Sequence, residues 1–448
     1  MIFTVNIISS SGISLHFKFI FIFSHYKLDM SIQLFNKYAE AQPFHIYYQM
    51  NLINNDTANP QLPIRFSYNE SRNNPYLLAP DNYFLSIVRF HIQTPTLPVF
   101  IPRIVTGQAN PNLTPYIITL TYVYSGTTYT SGTYGQVIYV PYDSTLSAPT
   151  SFVTPGATLT DLTSPYYYIY AYQSWVTMIN TAFTAAYNQL NTVVTAAGGT
   201  LPSAYAPFMS IDPINLTCTI SADNAGYSTS LTGGTVTTAP IKIFWNTPLF
   251  ILYNNFTWLY NGPLAANDLD AQLICYNMNN TNLFTVTVTT SPSVTYSALQ
   301  MYQEGTTATL LNPVNSIVFT TSILPVQLEN IGIPSISGST NQYNIGNNAN
   351  VKPVITDFQV PFSALNTYKP DIQYTPSAEY RLIDLNGSSP YQNINIDVQW
   401  KDVYGAYHDF VLGSGCSGSM KIMFRRKDYA NVGQVNIPDH HVNYQPNQ

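Results

Sequence analysis

The few ionisable side chains that lie close together in this 448-residue chain are where chemistry would have to occur. His408 and Asp409 are adjacent and would supply the base and the orienting acid of a nucleophilic triad if a serine or cysteine joined them. No Ser or Cys has the surrounding context for that role, so a strand histidine in the core or at a subunit contact is the plainer reading. Asp268 and Asp270 suggest an acid pair, but residues two apart on a strand share a face instead of flanking a substrate, which favours loop solvation. The Gly/Ser run at 413–419 (GSGCSGS) reads as a turn, and His440–His441 in the polar tail offers transient metal binding at most. The patterns G-x-x-x-x-G-K-[ST], G-x-S-x-G and H-E-x-x-H are all absent. The expectation is a protein without enzymatic activity, cofactor or metal.

The densest charge is basic: Lys421, Arg425, Arg426 and Lys427. Facing inward, such a cluster meets encapsidated nucleic acid or an acidic edge of a neighbouring subunit. Facing water, it is a strand end that discourages edge pairing. Both readings stay open.

These residues stand out because charge is scarce. Charged residues make up 8% of the chain, against about 25% in an average soluble domain. Hydrophobic residues still make up 45%, so a large core is available and charge-driven disorder, coiled coils and long solvated helices are excluded. Between Ile104 and Val351 there is one basic residue, Lys242, and the net charge is −7. The two flanks hold all the other basic residues, which suggests that the ends pair in space and the middle is an insertion or an outward surface. The overall net charge of −6 provides no field for bulk nucleic-acid binding.

Short β-branched or aromatic runs bounded by Pro, Gly, Asn or Ser predict strands at Phe84–Ile92, Ile117–Tyr124, Val137–Tyr142, Leu283–Thr289 and Ser316–Thr320. The clearest alternation places Ile394, Ile396, Val398 and Trp400 in a core, with Asn393, Asn395, Asp397 and Gln399 on a wet face. After a turn at Lys401–Gly405, Ala406–Leu412 returns as a hairpin. A final strand buries Met420, Ile422 and Phe424 and turns Lys421, Met423 and Arg425 the other way. One helix is expected over 174–197, with Ser174 as N-cap, Gly198–Gly199 as stop and an uncharged outer face that packs on sheet. Asn246–Trp258 predicts a second, short one.

The fold class is therefore all-β: a jelly-roll sandwich with a large, mostly β insertion containing one helix. Residues 30–103 and 241–428 are assigned to the jelly roll, 104–240 to the insertion and 429–448 to a flexible tail. The apolar run Ile13–Phe23 is shorter than the ~20 residues that span a bilayer and lacks the flanks of a signal peptide. Residues 1–29 are expected to be an extension outside the fold, with the chain starting at Met30. Cys218, Cys275 and Cys416 are an odd number at wide spacing, which points to reduced thiols and assembly inside a cell. Seven N-x-[ST] sequons, at Asn55, Asn69, Asn112, Asn215, Asn255, Asn279 and Asn386, follow from the abundance of Asn, Ser and Thr.

The flanks also carry a resemblance. PIRFSYNESRNNPYLLAPDNYFLSIVRFHIQTPTLPVFIP (Pro63–Pro102), LNPVNSIVFTTSILPV from Leu311, TDFQVPF from Thr356, SAEYRLIDL and INIDVQWKDVYGAYHDFVLGSGCSGSMKIMFRRK resemble the penton-type minor capsid proteins of Polinton-like double-stranded DNA viruses and their adintovirus and virophage relatives. IFWNTPLFILYNNF in the middle is similar to a segment that recurs among them. The resemblance implies a jelly-roll virion protein whose homopentamers close rings at icosahedral vertices beside the major capsid protein, with encapsidated DNA as a further partner and no membrane span. A double jelly-roll major capsid protein and, from another class, a secreted carbohydrate-binding β-sandwich are the alternatives.

Overall fold

The computed structural model describes residues 2–8, 14–20, 43–59, 62–105, 109–149, 164–228, 240–275, 284–288, 294–331, 335–337, 342–344, 350–360, 370–375, 381–403 and 405–427. It divides into two units. One comprises residues 1–47 with 423–448, and the other runs from Tyr48 to Ile422. In the first, β1 (Ile2–Ile8) and β2 (Ser14–Ile20) pair antiparallel, a hairpin that the sequence reading of residues 1–29 did not include.

The larger unit holds two sandwiches. Their strands begin with β3 (His45–Ile53), β4 (Ile64–Arg65), β5 (Ser67–Ser71) and β6 (Tyr83–Gln93). Then come β7 (Leu113–Tyr124), β8 (Thr127–Thr130), β9 (Gln136–Ile138), helix α1 (Tyr172–Ala196), β10 (Phe208–Ile211), β11 (Cys218–Asp223) and helix α2 (Asn224–Tyr227). Next are β12 (Lys242–Trp245), helix α3 (Thr247–Leu252), β13 (Trp258–Tyr260), β14 (Ala271–Leu273), β15 (Phe284–Val288), β16 (Val294–Tyr302) and helix α4 (Ala308–Leu311). The chain continues through β17 (Val314–Thr320), β18 (Glu329–Ile331), β19 (Ser335–Ser337), β20 (Gln342–Asn344), β21 (Asn350–Lys352) and β22 (Val354–Gln359). It ends with β23 (Asp371–Tyr374), β24 (Ile383–Asp384), β25 (Asn393–Asp402), β26 (Tyr407–Asp409), β27 (Val411–Leu412) and β28 (Ser417–Arg426).

The jelly roll is built from both flanks of the chain. One sheet runs β22-β17-β25-β26, with β5 also on β25; the other has β6 at its centre, with β23, β24 and β28 beside it. Among the described residues the ladders of these sheets are antiparallel, and β17 carries bulges at Val314/Ser316 and Phe319/Thr320. The sheets meet through rings. Phe90 of β6 lies 5.2 Å from Phe319 of β17 and 5.0 Å from Phe358 of β22, within the range of favourable aromatic pairs. Ile394, Ile396, Val398 and Trp400 are buried, as are Met420, Ile422 and Phe424. Two residues of the expected wet faces are buried too. Asn395 accepts hydrogen bonds from Ser322 N at 3.1 Å and Ser322 Oγ at 3.0 Å, and Met423 is 2% exposed.

The second sandwich wraps α1. Its sheets are β13-β14-β12-β7-β8, with β9 also on β7, and β10-β11-β16-β15. One hydrophobic cluster, running in sequence from Val99 to Leu311, joins both sheets to the helix and contains most of the expected 104–240 segment's core. The helix starts two residues before the expected site. Its N-cap is Ala171, which has no side-chain cap, and Ser174 sits inside the first turn. The stop is as read: Gly198 has φ +79°, Gly198 N–H donates to Thr195 O, and Gly199 N–H donates to Val194 O, a Schellman closure that favours glycine. On the outer face Thr177, Thr181, Thr184 and Thr192 each donate to the carbonyl four residues back, so an uncharged polar face keeps its own hydrogen bonds. Gly135 lets the turn before β9 touch the helix, because a Cβ there would lie 2.0 Å from Ile118 O and 2.9 Å from Ala186 Cβ.

Two other expected elements are shorter than read. The strand predicted over Val137–Tyr142 covers Gln136–Ile138, and the helix sought in Asn246–Trp258 is a six-residue turn ending at Leu252. Trp400 is 3% exposed at the seam of the jelly roll, so Trp400→Ala is expected to cost about 3–5 kcal/mol of unfolding free energy, seen as a lower denaturation midpoint in urea.

Candidate functional site

The triad suggested by His408 and Asp409 does not form, because neighbours on a strand face opposite ways. Asp409 turns to Arg65, 3.3 Å away, and to Gln399 Nε2 at 2.9 Å. The true partner of His408 is Asp402, six residues earlier across the hairpin, whose Oδ2 lies 2.9 Å from His408 Nε2. His408 Nδ1, on the other side of the ring, forms a hydrogen bond with the Tyr168 hydroxyl at 3.2 Å. The imidazole stacks on Trp400 at 4.1 Å between centroids. Asp402 Oδ1 also accepts from Ala406 N, which closes the turn at Gly405. Burial, with Tyr170 and Asp402 nearby, holds the Tyr168 phenol well above its usual range, so it stays protonated and is no nucleophile. The chain Tyr168–His408–Asp402 is a polar tie between the two sandwiches. Tyr168 and Asp402 could not be found from the sequence as its members, since 234 positions separate them in the chain.

A second cluster, also missed in the sequence, lies on β5. Glu70 accepts from the hydroxyls of Tyr48 and Tyr68 and, at 2.7 Å, from Arg72 Nε. Arg72 donates to Tyr48 Oη at 2.6 Å and lies over the rings of Tyr48 and Tyr76 at 4.6 and 4.7 Å. These donors hold the Glu70 carboxyl down to about 2, the Tyr48 hydroxyl foremost. The alternating spacing of Tyr68, Glu70 and Arg72 is the one local signal that could have revealed it.

The remaining candidates have structural roles. Asp270 is buried and accepts from Thr247 N and Thr247 Oγ1, both at 2.7 Å, which fastens the start of α3; it is not the solvated loop residue expected. Burial first, then the neighbouring Asp270, raises the pKa of the Asp268 carboxyl above the ordinary carboxylate range. In the 413–419 loop Gly415 N–H donates to Asn54 O and Cys416 N–H to Gly413 O, a pinned turn. Cys218 and Cys275 are buried thiols, each pushed up to about 12 by burial. His440 and His441 lie outside the described residues. Among the described residues no group of three or more His, Cys, Asp or Glu side chains is placed to hold a metal, and no helix is long and apolar enough to cross a membrane.

The structure does not bring the four basic residues together on one face. Lys421 and Arg425 are separated by four positions on β28 and share a face, whereas Arg426 points the other way. The Arg426 guanidinium lies 4.6 Å over the Phe44 ring, and Arg426 N–H donates to Phe44 O at 2.9 Å. Lys427 follows the strand.

A family model identifies what these two β-sandwiches, one of them a jelly roll, belong to. The Sputnik minor capsid protein V18/19 model matches residues 46–426. The chain belongs to that family. Relatives in Sputnik virophage include structural protein V19, 29% identical over 198 residues (42% of this chain and 83% of that protein), and protein V18, 36% identical over 127 residues (27% and 71%). A chain of the Sputnik virophage structure determined by cryo-EM aligns over 87% of this chain and 99% of its own length, with TM-score 0.67 and 27% identity. The crystal structure of the mavirus penton protein shares the fold over 85% of this chain and 99% of that chain, with TM-score 0.52 and 16% identity. This family member is a viral capsid structural protein and a component of the virion. The minor-capsid assignment displaces both alternatives, the major capsid protein and the secreted carbohydrate-binding sandwich.

Two measurements test the clusters. Tyr168→Phe leaves His408 Nδ1 without its hydroxyl partner and is expected to cost about 1–3 kcal/mol of unfolding free energy, measured by chemical denaturation. Glu70 has a depressed folded-state pKa, so its stabilisation is present above the ordinary value of 4.5 and is lost as pH falls toward about 2. The melting temperature of Glu70→Gln should therefore fall less than that of the wild type between pH 5 and pH 3.

Proposed function

We propose that the chain is the vertex capsomer of an icosahedral shell: a homopentamer whose copies contact one another heterologously and adjoin major capsid subunits, acting by assembly and without catalysis. The observation that carries this reading is the structural correspondence with a chain of the Sputnik virophage structure and with the mavirus penton protein, each over 99% of its own length. The physical chemistry supports it. A surface of Asn, Ser, Thr and Tyr packs against a neighbour without the cost of burying charge, and a heterologous contact that closes makes a ring.

In this reading the jelly roll, made from residues 45–93 and 314–427, forms the shell, and the almost uncharged 99–311 sandwich faces outward. The basic end of β28 serves a contact with a neighbouring subunit's acidic surface. Encapsidated DNA is the second candidate partner for it, on the strength of its charge alone.

Native mass spectrometry of the purified protein should show pentamers, and cryo-EM of particles should place it at the vertices. A strict monomer at high concentration that is absent from particles overturns the reading. Arg425→Glu combined with Arg426→Glu is expected to reduce particle yield severalfold while leaving the melting temperature nearly unchanged. A normal yield would remove the contact role.

A further inference from the structure

Two Asn–Gly pairs occur in the chain, Asn261–Gly262 and Asn386–Gly387. This dipeptide carries its own chemistry. The carbon of the Asn side-chain amide is an electrophile within ring-closing reach of the next backbone nitrogen, and glycine, having no Cβ, leaves that nitrogen unhindered. Whether the two groups meet in a folded protein depends on what else holds them, and the fold treats the two pairs differently.

Asn261 is engaged. Its Nδ2 donates to Leu269 O at 2.8 Å and its N–H donates to Asp270 O at 2.6 Å, which fastens the amide across the loop between β13 and β14. Ring closure there has to break the side-chain bond first. Asn386 lies in the loop between β24 and β25, one residue after Leu385, which is fully buried and bridges Val326. Asn386, Gly387, Ser388, Ser389 and Pro390 are all exposed. Among the described residues neither the Asn386 carboxamide nor the Gly387 N–H makes a hydrogen bond. Gly387 has φ +102°, a conformation that favours glycine, and a Cβ built there would meet nothing within 4 Å. The groups on either side of the pair are anchored: Asn386 N–H donates to Pro325 O at 2.8 Å, and Gly387 O accepts from Asp81 N–H at 3.2 Å. The loop therefore holds the pair in water by its flanks and leaves both reacting groups unengaged.

We propose that Asn386 is a site of spontaneous self-modification, in which its side-chain amide condenses with the backbone of Gly387. Gly387 N gives up its proton and attacks Asn386 Cγ. The Cγ–Nδ2 bond breaks, Nδ2 leaves as ammonia with that proton, and a five-membered succinimide remains. Water then adds to one of the two ring carbonyls. Opening at Cγ gives an aspartyl residue, and opening at the main-chain carbonyl gives an isoaspartyl residue whose main chain runs through Cβ and Cγ. No electrons are transferred, and water is the one co-reactant. Either product adds a negative charge to a chain that carries few. The isoaspartyl product also inserts a methylene between two anchored groups, which strains the longer of the two bonds, the one from Asp81 N–H.

Peptide mass spectrometry of purified, folded protein aged at mildly alkaline pH tests the site, with fragmentation to place the change within the tryptic peptide from Leu382 to Lys401. Amide should convert to acid at Asn386 severalfold faster than at Asn261, at a rate that rises with pH, and labelling by an isoaspartyl methyltransferase should mark the same peptide. No conversion at Asn386, or conversion at Asn261 as fast, overturns the site. In guanidinium chloride both pairs should convert and the difference should shrink; a difference that persists in the unfolded chain overturns the role of the fold. Asn386→Gln should abolish the signal, because a six-membered ring closes far more slowly, and should leave the melting temperature of fresh protein unchanged. A signal that survives in this variant belongs to Asn393 or Asn395 and equally overturns the site. Aged wild type should melt below fresh wild type while aged Asn386→Gln keeps its melting temperature; equal shifts in the two remove the strain at Asp81.

Discussion

The structure depends on satisfying buried backbone hydrogen bonds with side chains that carry no charge. Wherever a ladder ends inside the molecule, an N–H or C=O needs a partner, and leaving one unpaired costs about as much as a lost hydrogen bond. Neutral amides and hydroxyls meet this need throughout. Asn54 Nδ2 donates to Leu62 O and Leu412 O, both at 2.9 Å. Asn246 extends the β12–β7 ladder by a residue: its Oδ1 accepts from Ile117 N at 3.0 Å and its Nδ2 donates to Pro115 O at 2.7 Å. Asn180 does the same from a helix, pairing with both N and O of Met209 on the edge of β10. Gln93 and Gln303 each accept from the first backbone N–H of a strand, and Ser131 accepts from Leu120 N–H within β7.

This constraint links composition to assembly. A chain that solves its internal hydrogen bonding with Asn, Gln, Ser and Thr has little need for ion pairs, and its surface inherits the same chemistry. Neutral polar groups lose less on desolvation than charges do, so such a surface can lie against other subunits over a large area. The ion pairs that are present have half-exposed or defined places, such as Arg381 beside Glu329 and Asp357, or Glu70 and Arg72 among their tyrosines.

The polar tie through Tyr168, His408 and Asp402 shows how two sandwiches become one unit. Trp400 supplies the apolar platform, His408 stacks on it, and Tyr168 reaches in from the segment just before α1. Satisfied at both ends, such a chain fixes the imidazole's tautomer and orientation.

Much was legible in the residues alone. Alternation at Ile394–Trp400, three-and-four spacing over 174–197, and Gly198 as helix stop are local signals, because a period or a positive φ depends on near neighbours only. Scarcity of charge was equally plain, and with it the absence of catalytic motifs. What the sequence could not decide was pairing at a distance. His408 found Asp402 and Tyr168 instead of its neighbour Asp409; Glu70 collected tyrosines from two strands; Asp270 became the anchor of α3. Helix starts and strand ends also shifted by a few residues, because a terminal hydrogen bond is awarded by whichever group lies in reach after folding. The chain's types and periods determined that it would be a low-charge β protein with one long helix. Only the tertiary structure decided which polar groups share a hydrogen bond, since such bonds act over about 3 Å and are indifferent to separation along the chain.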